Sequence, residues 1–464
     1  MKLREEKDFL GNLNVPQNAY WGIHTMRAIE NFDICDYKVD EEFIKAYGIV
    51  KLACAKTITD LNIWDKTKSN AILQASLEVS EGKYNNEIVV NPLQGGAGTS
   101  LNMNINEVIA NRALEILGYE KGQYNIIHPI NDINLYQSTN DTFPTALKIA
   151  CINLLRKLEQ NVTALQDCLQ EKEKEFADVV KIARTQLMDA VLTTLGREFS
   201  AYAECISRDR WRIYKCEERL RVVNIGGTAI GTGIGAPRKY IFGVIENLKE
   251  LSGLSLARAE NMVDNTQNVD VFSEVSGILK AHATNLIKIS NDLRIMSSGP
   301  DAGFGEITLP PVQAGSSIMP AKINPVIPEM AAQSGIKVLG NDVIINYCVS
   351  QGQFELNQFM PLLAFTMLET LKILINTNKI LQERCIKNIK ANKDNINKKI
   401  NNSQALLTAL LPKFGYEKIV EIAQKIPQGI NVKDYLLNNG YITEIEFIQL
   451  TSPEAVLTLG CKNL

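Results

Sequence analysis

The chain has 464 residues, with 49 Lys and Arg against 52 Asp and Glu, a formal net charge of −3, 45% hydrophobic and 22% charged residues. These are values of a soluble globular chain, and the near balance of charge gives no electrostatic reason to expect nucleic acid or an anionic membrane as a partner. Only three histidines occur, His24, His128 and His282, so a multi-histidine metal centre is close to excluded, and the length predicts two or three structural units.

The opening segment, MKLREEKDFLGNLNVP, has no apolar core, and no run of ~18 consecutive apolar residues occurs, so neither a secretory signal nor a membrane-spanning helix is expected. The nine cysteines are widely scattered without a C-x-x-C pair, which fits free, buried thiols in a reducing compartment and a cytoplasmic chain. QGGAGTSLNMN (94–104) predicts a turn of small residues with a helix beginning at Asn102. Exposed N–H groups at such a helix start favour an anion, although Thr99 and Ser100 are also good structural caps. From Thr145 to Leu195, 51 residues contain neither Gly nor Pro, residues 254–298 contain only Gly277, and residues 362–411 contain neither. Long helices are the simplest account of such stretches. Leu165, Leu169, Phe176 and Val180 in the segment 163–183 predict a helix with one wet face.

NIGGTAIGTGIGAPRKY (224–240) lacks the Gly-Lys-Ser/Thr of a phosphate loop and the spacing of a dinucleotide loop, so it reads as a tight connection between helices. Residues 299–328 hold four glycines and six prolines. No helix continues through that composition, and a long irregular segment in a compact protein is usually functional. PLLAFTMLETLKILINTNKIL (361–381) is apolar nearly all round in its first half, which asks for burial in a core or a subunit interface; Glu369 and Lys372 argue against a membrane. KNIKANKDNINKKINNSQ (387–404) reads as a solvated helix end leading to a small polar appendage.

Several separated segments together are specific. GSSIMPAKINPVIPE (315–329) closely resembles the GSSxMPxKxNP motif of the aspartase/fumarase superfamily. HPINDINLYQSTND (128–141) and ARTQLMDAVLTTLGREF (183–199) resemble its other two characteristic segments, while QGGAGTSLNMNINEVIAN (94–111) and AYWGIHTMRAIENF (19–32) resemble its aspartate ammonia-lyase branch. Class II fumarases typically show Ser-Ser-Asn-Asp where Ser138-Thr139-Asn140-Asp141 stands, and histidine where Gln186 follows Thr185; some aspartases share the Thr-Gln pair. The departure has chemical meaning. Loss of hydroxide is helped by a proton donor, whereas an amine that is already protonated leaves without one.

The resemblance implies a mainly α, three-domain aspartase/fumarase fold: an N-terminal mainly helical domain over 1–140, a central long-helix bundle over 141–394 with a catalytic loop near 313–326, and a small helical C-terminal domain over 395–464. The bundle is expected to assemble into the twenty-helix core of a homotetramer, with active sites shared between subunits. The implied reaction is reversible deamination of L-aspartate to fumarate and ammonia through an aci-carboxylate. Ser316 is the implied base, with Ser317 and Lys322 near its alkoxide. Thr99, Ser138 and Thr139 match the donors around the developing charge, Lys322 and Asn324 the α-carboxylate site, and Asn140, Thr185 and Gln186 the surroundings of the amino group. No cofactor is required; some aspartases are activated by Mg2+, but no ligand cluster identifies a site. The substrate is a small molecule, with neither nucleic acid nor membrane as partner.

Two alternatives stay open on the residues. One is a class II fumarase or a lyase of another substituted succinate; the other is a non-catalytic helical protein, as lens crystallins recruited from this superfamily illustrate. Ser317 can cap a turn, Glu329 can orient the loop or begin the next helix, and His128 can meet a ligand or end a helix. His24 and His282 read as structural. Ala321 stands where the family more often has glycine.

Overall fold

In a computed structural model, residues 2–427, 429–458 and 460 are described. A hairpin of β1 (Leu3–Asp8) and β2 (Gly11–Pro16) is followed by α1 (Ile23–Asn31), α2 (Glu41–Asp60), α3 (Lys66–Ser80) and α4 (Thr99–Ile116). The longest helix, α5 (Thr139–Glu175), leads into a second hairpin, β3 (Val180–Thr185) and β4 (Met188–Thr194), and then α6 (Leu195–Leu220). After β5 (Val222–Val223) come α7 (Arg238–Ser252), β6 (Ala257–Arg258), α8 (Met262–Gln267) and α9 (Val271–Met296). A short strand β7 (Ile307–Thr308) precedes α10 (Val326–Val349) and α11 (Met360–Arg384), and β8 (Lys390–Ala391) precedes α12 (Lys393–Asn402). Short helices fill the C-terminal region. The small sheets pair β1 with β2, β3 with β4, β5 with β6 and β7 with β8.

The long helices expected from the Gly- and Pro-free stretches are present, with one exception. The helix expected over 163–183 stops at Glu175, and the chain turns into the β3–β4 hairpin inside the same stretch. Beyond Glu175 the sequence becomes rich in β-branched residues, Val180, Ile182 and Thr185 on one strand and Val191, Thr193 and Thr194 on the other. Such side chains lose rotamer freedom in a helix and pack well on a pleated surface. The start expected at Asn102 lies instead at Thr99, after Gly98 in the left-handed region at φ 94°. The polar segment after residue 386 is not a continuing helix end; it contains β8 and the separate helix α12.

Spatial contacts gather the chain into two compact units. The first comprises residues 1–159, 212–281 and 337–375; the second comprises 160–211, 282–336 and 376–464. In the first, α2 lies against α3 and α7, and α3 against α4. In α11, Leu363, Met367, Leu371, Leu374 and Leu381 are essentially fully buried, and each such side chain contributes roughly 1.5–3 kcal/mol. The span Met360–Asn388 is long and apolar enough to cross a membrane, but 61% of its apolar 18-residue window is buried inside the protein; it is a core helix. An apolar face is left open on α10, where Ile336, Val343 and Tyr347 are 60%, 54% and 68% exposed.

In the second unit a buried ion network fixes the β3–β4 hairpin. Lys181 Nζ lies 2.6 Å from Glu306 and 2.8 Å from Glu198, and Arg184 Nη1 donates to Glu306 Oε1 at 2.6 Å. Lys181 and Glu306 are each 2% exposed. The Glu306 backbone is held in turn by Asn392 N, which donates to its carbonyl at 2.8 Å. Removing one partner of a buried ion cluster leaves uncompensated charge, so Glu306→Ala is expected to cost about 3–5 kcal/mol. A urea-unfolding midpoint indistinguishable from that of the unaltered protein would contradict this.

Candidate active site

The site residues expected from the sequence fall into two groups, one in each unit. In the first unit, Gly96, Ala97 and Gly98 are successively left-handed, at φ 81°, 56° and 94°. A Cβ on Gly98 would lie 2.2 Å from the Phe143 ring, so glycine is required there by conformation and by space. This turn places Thr99 at the head of α4, exposed to solvent. Among the described residues neither Thr99 nor Ser100 makes a side-chain capping bond; instead Gln94 Oε1 accepts from Leu101 N at 2.9 Å.

The 128–141 segment begins with a helix end. His128 Nδ1 accepts from Ile130 N and Asn131 N at 3.0 and 3.2 Å, and Asp132 accepts from His128 N. Its far end opens α5 through a reciprocal cap: Ser138 Oγ accepts from Asn140 N at 3.2 Å, and Asp141 Oδ1 accepts from Ser138 N at 3.0 Å. The Ser138 hydrogen is therefore free to face outward. Asp141 is fully buried, and its other oxygen accepts from Thr228 N and Gly226 N at 2.9 and 3.2 Å. Burial pushes its carboxyl up to about 7 against the pull of those N–H donors. Pro144, inside α5, lacks the N–H that would bond the Asn140 carbonyl. Asn224 Nδ2 supplies that donor at 3.0 Å, and Asn140 Nδ2 donates to Ala229 O at 2.7 Å. The glycine-rich connection at 224–236 thus braces this loop from behind, a role the sequence did not reveal.

Beneath Thr139 lies a polar network that sequence reasoning missed. Asn102 Nδ2 donates to Thr139 Oγ1 and to Asn134 Oδ1, both at 3.1 Å. Lys51 Nζ, on α2, donates to Asn134 Oδ1 at 3.1 Å and to Gln137 Oε1 at 2.8 Å. Lys51 is 2% exposed, and burial pulls its ammonium down to about 7. Two signals were available: a lysine inside the apolar run GIVKLACA, and asparagines at 102, 104, 106 and 111 in one helix. Asparagine is a poor helix former, and all four are buried.

In the second unit, Thr185 closes β3, and Gln186 and Leu187 form the two-residue turn to Met188, with Thr185 paired to Met188. Both turn residues are left-handed, at φ 55° and 64°. The hairpin turn that matches strand twist demands this conformation and normally uses Asn or Gly. Strain of that kind persists where the surroundings over-determine it, here through Arg184 and Lys181. A cleft of about 400 Å3 lies beside Gln186, lined among others by Lys181, Arg184, Glu198, Tyr202 and Asp292.

Ser316, Ser317, Lys322 and Asn324 share one self-closed loop. Gly315 N donates to Lys322 O at 2.9 Å, and Asn324 Nδ2 donates to Gly315 O. A Cβ on Gly315 would sit 2.3 Å from the Lys322 carbonyl. Inside this loop Ser316 Oγ accepts from Met319 N at 2.9 Å and Ile318 N at 3.2 Å. Ser317 and Lys322 are exposed, and among the described residues Lys322 Nζ has no ion-pair partner. Ala321 is left-handed at φ 60°, so the conformation that glycine would adopt freely is held here by alanine. Glu329 lies in the first turn of α10, 3.9 Å from Arg294. Neither Thr185 nor Gln186 bonds to this loop among the described residues. His282 is fully buried, its ring nitrogens facing Asp209 and Asn378. Among the described residues no three His, Cys, Asp or Glu side chains are arranged to hold a metal ion.

The profile of a family described as Lyase matches residues 11–340. The chain is 45% identical over 452 residues, 97% of each chain, to an aspartate ammonia-lyase of Bacillus sp. Among solved structures it is similar to a fumarate lyase:delta crystallin from Brucella melitensis bound to cobalt, at TM-score 0.94 and 40% identity over 98% of this chain and 100% of that one. A class II fumarase from Schistosoma mansoni matches at TM-score 0.91 and 30% identity, over 98% and 99% of the two chains.

Because a left-handed leucine costs roughly 1–2 kcal/mol that glycine avoids, Leu187→Gly is expected to raise the thermal midpoint. A lowered midpoint would mean that the Leu187 side chain contributes more than its backbone costs.

Proposed function

The chain belongs to the lyase family of the aspartase/fumarase superfamily, and on that premise we propose that it is an aspartate ammonia-lyase with Ser316 as its base. The observation that carries the base assignment is the pair of backbone N–H groups, of Ile318 and Met319, directed at Ser316 Oγ. A serine hydroxyl is too weak a base unless its alkoxide is stabilised, and two fixed N–H donors favour the anion.

The Ser316 alkoxide takes a proton from the carbon beside the β-carboxylate of L-aspartate. The electron pair left behind moves into that carboxylate, which becomes a doubly charged aci-carboxylate. Thr99, Ser138 and Thr139 donate hydrogen bonds to its two oxygens; removing one such donor typically costs about 10²–10³-fold in rate. The pair then returns to form the double bond of fumarate as the C–N bond breaks and neutral ammonia departs. Lys322 and Asn324 hold the α-carboxylate. Asn140, Thr185 and Gln186 surround the amino group, where a neutral amide suffices because the leaving group is already protonated. Ser317 belongs to the same binding set. A class II fumarase is the weaker reading, since Gln186 cannot protonate a leaving hydroxyl as histidine can.

The working unit in this reading is a homotetramer with active sites shared between subunits. Among the described residues five helices have 24 residues or more, α5, α6, α9, α10 and α11, and would supply twenty from four copies. The open apolar face of α10 is a surface suited to a partner. The division into 1–140, 141–394 and 395–464 is our reading of the family architecture along the chain. Catalysis requires no cofactor, with Mg2+ activation open to direct assay, and the setting is cytoplasmic without nucleic acid or membrane.

Incubation with aspartate and then with malate, followed by fumarate absorbance, tests the activity: fumarate is expected from aspartate, and fumarate from malate alone would overturn it. Ser316→Ala is expected to lower kcat by at least about a thousandfold while leaving sedimentation unchanged; near-normal ammonia release would remove the base assignment. Val343→Asp combined with Tyr347→Asp is expected to dissociate the tetramer, and a stable active monomer of the unaltered chain would contradict the assembly.

A further inference from the structure

We propose that Lys51, acting through Asn134 and Asn102, fixes the direction of the Thr139 hydroxyl so that its hydrogen points toward the substrate; the three are positioning residues for the reaction. This rests on the reading of Thr139 as a donor to the aci-carboxylate.

While Lys51 is an ammonium, which is its form below the neutral range to which burial has lowered it, it has hydrogens to give and no lone pair to offer. Asn134 must therefore turn its carbonyl oxygen, not its amide nitrogen, to Lys51 Nζ, and its nitrogen donates the other way, to Gln137 O at 3.2 Å. The same oxygen faces Asn102 at 3.1 Å and Asn106 at 3.2 Å, so both present their NH2 groups. The Asn102 carbonyl is left facing the Tyr47 hydroxyl at 3.2 Å, which can donate. One hydrogen of the Asn102 amide is used on Asn134, and the other points at Thr139 Oγ1. Thr139 accepts there, so its own hydrogen has to face elsewhere.

Reversing any one amide would set two carbonyl oxygens, or two NH2 groups, against each other in a buried site, where unsatisfied polar groups are expensive. Asn102, Asn106 and Lys51 are all at most 2% exposed, so water is poorly placed to relieve a mismatch. The cation at the base of this chain has no carboxylate ion partner among the described residues; its recorded acceptors are two side-chain amides. A buried lysine held in that way stabilises the fold poorly, while it determines the polarity of each group above it.

Asn102→Asp is the discriminating change, because it keeps the shape and replaces the donor by acceptor oxygens. The Thr139 hydrogen then turns inward toward Asp. With aspartate as substrate, kcat is expected to fall about a hundredfold, with the inhibition constant of succinate within about threefold of its original value. The same substitution in a Thr139→Val background is expected to add less than about threefold, since the group it acts through is gone. If Asn102→Asp fails to fold by circular dichroism and sedimentation, Asn102→Ala replaces it in the same cycle, with the same non-additivity expected. Additive losses in the two backgrounds, or a parallel loss of succinate binding, would overturn the relay. Failure of the unaltered protein to form fumarate from aspartate would instead overturn the functional reading beneath it.

Discussion

Asn134 Oδ1 accepts three hydrogen bonds at once, from Lys51, Asn102 and Asn106, and the order of the polar groups above it follows from that convergence. A reaction that builds a second negative charge on a carboxylate needs hydrogens aimed at that charge before it forms. Hydroxyl groups rotate, so each is a reliable donor only where its own lone pair is already occupied. The protein meets this requirement twice in one loop. Thr139 accepts from a side chain rooted in a buried lysine, and Ser138 accepts from the backbone N–H of Asn140. One device is a helix cap and the other a buried relay, and both leave the hydroxyl hydrogen pointing away from the fold.

The second unit solves a different problem, that of holding strained backbone still. Gln186, Leu187 and Ala321 occupy the left-handed region without being glycine. Strain of this sort relaxes unless something nearby is stiff. Behind the Gln186 turn stands the buried Lys181–Glu306–Arg184 cluster, and around Ala321 the loop is closed by Gly315–Lys322 and Asn324–Gly315 bonds. The serine proposed as base sits inside the second of these braces, with its oxygen already solvated by two backbone N–H groups. Rigid support and local strain therefore occur at the same places, and those places carry the proposed chemistry.

Much of this was legible in the sequence, and the failures have physical causes. Glycine and proline spacing located the long helices because those residues are the ones a helix excludes, and it marked 299–328 as irregular for the same reason. It failed at 176–194 because the hairpin there turns through Gln186 and Leu187, so no turn residue announces it. The helix start at Thr99 was placed three residues late because its determinant, a left-handed Gly98 packed on Phe143, depends on a tertiary contact. The motif residues at 138–141, 185–186 and 315–324 could be named from pattern. Lys51, Asn102 and Asn134 could not, because their role exists only once α2, α4 and the 134–141 loop are packed together; what the sequence did hold was the oddity of buried polar residues in helical, otherwise apolar runs.

Neutron diffraction from crystals grown in heavy water tests the central claim most directly, since it locates deuterium on Thr139 Oγ1 and distinguishes Nδ2 from Oδ1 in Asn102. The account predicts the Asn102 ND2 group aimed at Thr139, with the threonine deuterium turned away from Asn102. A deuterium on Thr139 pointing into the Asn102 side chain, with the amide carbonyl receiving it, would contradict it.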